Sequence, residues 1–173
     1  MLWNWHSRLG IGETDTELRF VVDVNVGRLA KWLRVMGYDT LFPRENGDNE
    51  LVRVALKENR VLVTRDAEIA RRRAARTGQM TVVLIEKDDL RSQLKQLVRD
   101  LDLNLSGGFS RCVRCNDLLR PIAKRDVAER LPPYVLLTHA KFLECQECRR
   151  VYWPGTHWTN MMSELSQVYQ EAP

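Results

Sequence analysis

The stretch RFVVDVNVGRLAKWLRVMGYDT (residues 19–40) decides the fold. Its first part is a short Val-rich run bounded by polar residues, which reads as a buried strand. Its second part carries Val26, Leu29, Leu33 and Met36 at helical spacing, with Asn25 as a cap and Gly37 as a stop. Asp23 stands at the junction, an acid closing an apolar strand just where a helix begins. One such acid is ordinary, because Asp is favoured at helix starts. Its meaning depends on whether other acids gather at the same edge of the fold.

Working outward, the same unit recurs. DTLFP (39–43) reads as a second strand, and Asp48 heads the amphipathic run NELVRVALKEN. RVLVT (60–64) is a third strand, closed by Arg65 and Asp66, with AEIARRRAARTG (67–78) as its helix. MTVVLI (80–85) is a fourth, followed by the helical run DDLRSQLKQLVRDLDL. Near-continuous apolar strands alternating with helices predict an α/β domain, a small parallel sheet flanked by helices. The paired glycines of NLSGGFS (104–110) mark a boundary, beyond which cysteines enter and the alternation ends. The expected division is an N-terminal extension (1–18), the α/β domain (19–106), a cysteine-bearing module (107–158) and a C-terminal tail (159–173).

In a parallel sheet all strand C-termini share one edge, where ligands bind. Asp23, Asp48 and Asp66 all follow strands onto that edge, and EKDD after the fourth strand adds Glu86, Asp88 and Asp89. Taken singly, each acid is more readily a helix cap than a ligand. Together they crowd like charge, which a hard cation such as Mg²⁺ or Mn²⁺ offsets. Such an ion turns water into a nucleophile and stabilises phosphoryl charge. Asp39, at the start of its strand, is expected on the opposite edge and outside the site. Arg28, Lys31 and Arg34 recur at helical intervals, and Arg71, Arg72, Arg73 and Arg76 follow later. The plain reading of these runs is a solvated face. Arg28 and Arg65 lie nearest the acids in sequence and, with Lys31, are the candidates for substrate phosphate.

RCVRCNDLL and ECQECRRVYW supply Cys112, Cys115, Cys145 and Cys148 as two C-x2-C pairs separated by 29 residues, and these are all the cysteines of the chain. Two such knuckles complete a tetrahedral thiolate site with no open position, the signature of structural zinc. Disulfides are the competing reading, disfavoured by the cytoplasmic location expected from the lack of a signal-peptide pattern. The formal charge of +4 falls to +2 once four thiolates and one Zn²⁺ are counted, so average charge argues only weakly for nucleic acid. With 44% hydrophobic and 29% charged residues and no long apolar run, the composition is globular and predicts no membrane partner.

FVVDVNVGRLAKWLRVMGYDT, DNELVRVALKENRVLVTRD, SRCVRCN and CRRVYWPGTHW together resemble the Mut7-C RNase domain family over about residues 19–158. The resemblance implies a PIN-like ribonuclease fold with a C-terminal zinc ribbon. It also implies a metal-dependent nuclease in which Asp23, Asp48 and Asp66 match the acidic positions, with the fourth acid open among Glu86, Asp88 and Asp89. The expected activity is hydrolysis of RNA phosphodiesters, the RNA being single-stranded, through an acidic Mg²⁺ or Mn²⁺ site, with the ribbon assisting RNA binding. A noncatalytic RNA-binding adaptor is the main alternative. A phosphoacceptor signalling domain ranks third, because Asp23 lacks the paired acid expected beside it after the first strand.

Overall fold

A computed structural model of the protein describes residues 18–43, 47–105 and 108–172. The expected extension over 1–18 therefore lies outside the described residues except for Leu18. Four short strands, β1 (Arg19–Val22), β2 (Asp39–Leu41), β3 (Val61–Thr64) and β4 (Val82–Leu84), form a wholly parallel sheet in the order β2-β1-β3-β4. Side chains alternate across a strand. Phe20 and Val22 accordingly face a core shared with α1 (Arg28–Val35), α5 (Leu90–Leu101) and α7 (Thr156–Glu171). Val21 and Leu62 face the other side, against Leu51 and Ala55 of α2 (Asp48–Glu58) and Ile69 of α3 (Ala67–Arg71). Burial on both faces is why these strands read as continuous apolar runs.

Three local expectations are corrected. Asn25 caps nothing: residues Val24–Val26 make a single 3-10 turn, and α1 starts only after Gly27. Gly27 lets the Phe42 ring close over this turn, because a Cβ there would lie 2.3 Å from Cζ of Phe42 and displace the ring. The helix expected over 67–78 breaks at Arg72, which takes an extended ψ of 147° between α3 and α4 (Arg73–Arg76). Residues 159–171 are no tail. They belong to α7, which buries Met161, Met162, Leu165 and Val168 in the main core and pairs Glu171 with Arg91 and Lys95 of α5. The chain thus leaves the α/β layer after α5 and returns to it.

Between these excursions lies a small antiparallel sheet, ordered β5-β6-β7, of β5 (Leu119–Ile122), β6 (Phe142–Cys145) and β7 (Val151–Tyr152). A 3-10 segment (Lys124–Arg130) and α6 (Pro133–Thr138) cover it, with Val127, Val135 and Phe142 as its separate core. Among the described residues no helix is long and apolar enough to cross a membrane.

Candidate active site and metal centre

The strand order reverses between β1 and β3, the place where open α/β sheets bind ligands beyond the strand C-termini. Asp23 leaves β1 at this point, and its backbone N–H still bonds the Val63 carbonyl of β3 at 2.9 Å. Its side chain is 95% buried, with 5% exposed. One carboxylate oxygen, Oδ2, accepts from Thr64 Oγ1 at 2.6 Å and from Asn25 Nδ2 at 2.7 Å. The Thr64 hydroxyl in turn accepts from the Asp66 N–H at 2.9 Å, and Asn25 Oδ1 accepts from the Arg65 N–H at 3.1 Å. A closed neutral network therefore joins the end of β1 to the end of β3. Among the described residues Oδ1 of Asp23 accepts no hydrogen bond, and no Lys or Arg pairs with this carboxylate. Oδ1 keeps contact with solvent, so the carboxylate has one oxygen held by the chain and one open at the sheet edge.

Asp66 confirms its plain reading as an N-cap, since Oδ1 accepts the Glu68 N–H at 2.7 Å; the other carboxylate oxygen makes no bond among the described residues. Asp48 is the first residue of α2 and half exposed, and it opens onto a recess of about 480 Å³ shared with Asn49, Arg53 and Arg72. The helix break sends Arg72 there: its Nη1 donates to Asn49 Oδ1 at 2.7 Å, and its Nη2 lies 3.9 Å from Asp48 Oδ2. Of the acids after β4, Asp89 caps α5 through the Ser92 N–H at 2.9 Å, and Asp88 pairs with Arg65. Glu86 is exposed. Arg28 and Lys31 are exposed on α1, and among the described residues neither is paired. Arg34 is different: it is 7% exposed, and its guanidinium donates to the carbonyls of Thr40, Val113 and Arg114 at 2.8–3.2 Å. It braces the fold and does not face solvent.

The sequence reading takes Asn25 only as a helix cap and misses Thr64; these two neutral side chains hold Asp23 and connect it to the backbone N–H groups of Arg65 and Asp66. Thr64 carried a faint signal, a polar residue ending an otherwise apolar strand. Asn25 carried a misleading one, because its position after a strand suits a helix cap equally well.

Asp23, Asp48 and Asp66 do not gather as a set of three. Among the described residues the only group of three or more His, Cys, Asp or Glu side chains gathered tightly enough to share an ion is Cys112, Cys115, Cys145 and Cys148, whose sulfurs all lie within 4.8 Å of one another. Cys112 Sγ lies 3.5 Å from Cys148 Sγ, and Cys115 Sγ lies 3.3 Å from Cys145 Sγ. A tetrahedron of sulfurs about 2.3 Å from a central Zn²⁺ has edges of about 3.8 Å, so the set closes around such an ion with little movement. Burial pushes the Cys112 thiol up. The Tyr152 hydroxyl at 3.1 Å and the N–H groups of Cys115 and Arg114 overcome it, bringing the thiol down to about 6. The Cys148 N–H likewise points at Cys145 Sγ, 3.4 Å away. The donors to Cys112 stabilise the thiolate form that metal binding requires, whereas burial and the neighbouring thiols hold Cys115 and Cys145 above the ordinary thiol value when no metal is bound. The cluster is therefore placed to hold a structural metal such as zinc.

The chain belongs to the Mut7-C RNAse domain family, whose model matches residues 18–165. No curated protein and no solved structure matches it. The family match takes in the acidic edge, the cysteine module and the first part of α7, and it points to a ribonuclease-type function.

Proposed function

We propose that the protein hydrolyses RNA phosphodiesters at the carboxyl edge of its parallel sheet, with Asp23 as the anchor of a Mg²⁺ or Mn²⁺ site. The observation that carries this reading is the buried, cation-free carboxylate of Asp23, held in place by Thr64 and Asn25 with one oxygen open. The donor set suits a hard cation: carboxylate oxygens, no thiolate and no imidazole. That the three acids do not gather into one cluster does not exclude it, since Mg²⁺ usually keeps several waters and takes only one or two protein carboxylates together with substrate phosphate.

Asp23 and Asp66 would hold the ion, and Asp48 would reach it through water or substrate. When bound, such an ion supplies charge stabilisation at the phosphoryl oxygens and a hydroxide-like nucleophile from water. Asn25 and Thr64 fix the Asp23 carboxylate and keep its second oxygen turned to the ligand, the role outer-sphere partners play at metal sites. Arg28 and Lys31, exposed on α1, would bind the RNA backbone, and Arg65 would do so once released from Asp88. The cysteine module would hold zinc and assist in binding a single-stranded substrate.

Labelled single-stranded RNA incubated with the purified protein tests the reading. Cleavage should require Mg²⁺ or Mn²⁺, stop with chelator and disappear in Asp23→Asn, while RNA binding persists. Metal-independent binding without any cleavage would favour the adaptor reading.

A further inference from the structure

We infer that Asn116, in the first cysteine knuckle, is a positioning residue that lets the cysteine-bound metal hold edge strand β2 and, through it, the rim of the proposed active site. The inference rests on the nuclease reading for its effect on catalysis, but not for the coupling itself. β2 is three residues long and pairs only with β1, so its outer edge would present bare backbone groups. The knuckle fills that edge. Asn116 Oδ1 accepts the Thr40 N–H at 2.9 Å, while its Nδ2 donates to Asp39 Oδ1 at 2.8 Å. Arg34 closes the same seam, donating to the Thr40 carbonyl and to the Val113 and Arg114 carbonyls inside the knuckle.

Asn116 follows Cys115 directly. Its own N–H bonds the Cys112 carbonyl at 2.9 Å, and its φ of 73° is set by the tight turn between the ligands and Asp117. The turn that presents two thiolates is thus the turn that aims the amide at β2. Further along, Leu41, Phe42 and Pro43 continue from β2 beside Arg114 and Asn116, around a groove of about 390 Å³. Phe42 seals Gly27, which ends the turn carrying Asp23 and Asn25. A chain of contacts therefore runs from the sulfurs to the Asp23 turn.

The test uses Asn116→Gly in the full chain, because glycine suits the positive φ and deletes only the side-chain bonds. Amide exchange at Thr40 should accelerate about fivefold or more, the effect of one lost hydrogen bond on local opening. One metal per chain should remain at the cysteines. The Mn²⁺ concentration for half-maximal RNA cleavage should rise several-fold, with the rate at saturating Mn²⁺ changing much less, as expected when an outer-sphere support is removed. Parent protein stripped of the cysteine metal should show the same loss of Thr40 protection, and it decides the coupling even if Asn116→Gly does not fold. Unchanged Thr40 protection in the stripped parent or in the variant overturns the coupling. Deprotected Thr40 with an unchanged Mn²⁺ requirement overturns the positioning role. If the parent cleaves no RNA with any metal, the nuclease reading fails with the positioning role, while Thr40 exchange still decides the latch.

Discussion

Asp23 and Asp39 sit on neighbouring strands, at opposite edges of one sheet, and the protein treats them in opposite ways. At the amino edge, Asp39 meets the guanidinium of Arg60 at 2.7 Å, the Asn116 amide at 2.8 Å and, at 4.0 Å, Arg111. Burial raises its pKa, but the hydrogen bonds and charges of these partners outweigh that and hold it below the ordinary carboxylate value. At the carboxyl edge, the more deeply buried Asp23 receives only a hydroxyl and an amide. The first acid is complete as it stands and serves the fold. The second has no cationic partner in the chain and keeps one oxygen unbonded, which is why it anchors the proposed cation site. Position in the sheet separates an acid neutralised by the chain from one the chain leaves unneutralised.

The comparison breaks most completely at a third place, the cysteines. Cys145→Ser should lose the structural metal, and because metal-binding energy is folding energy in so small a module, the ribbon should unfold or aggregate. Metal content and thermal melting check this, and a melt like the parent's would contradict it.

At the amino edge, Asp39→Ala should strip a nearly buried arginine of one of its two carboxylate partners, leaving only Glu58. Allowing for the partial exposure of Asp39, the loss should be about 2–3 kcal/mol in chemical denaturation. The same pair predicts the acid limb of stability. A carboxylate with a depressed folded pKa contributes stability that is present above its unfolded pKa, near 3.8, and is lost as pH falls through the folded value. Asp39→Asn should therefore flatten the stability profile below about pH 4, whereas an unaltered acid limb would show that Asp39 is not coupled to folding.

At the carboxyl edge, Asn25→Ala should leave stability nearly unchanged and reduce RNA cleavage about 10–100-fold, the usual cost of losing an outer-sphere partner of a metal site. Equal losses of stability and activity would instead make Asn25 a fold residue like Arg60.

Much of this was legible in the sequence. Strand–helix alternation reads directly because burial on both faces demands apolar strands, and the doubled C-x2-C spacing reads directly because tetrahedral thiolate sites have few solutions. The placement of Asp39 on the far edge followed from the strand direction alone. What escaped depends on partners distant in the chain. Arg34 shares helical spacing with Arg28 and Lys31, yet its environment is set by knuckle carbonyls about 80 residues away. The role of Arg72 follows from a helix break that no proline or glycine announces. α7 reads as a tail from composition, since its buried methionines and leucine gain meaning only when α5 lies beside them.

Mn²⁺ binding, followed by calorimetry on protein whose cysteine site is already filled with zinc, decides whether Asp23 holds a divalent cation. The parent should show a Mn²⁺ site that is lost or weakened by more than about 100-fold in Asp23→Asn, beyond the effect of outer-sphere changes, with no loss of thermal stability. Asp23→Asn binding Mn²⁺ as the parent does would contradict it.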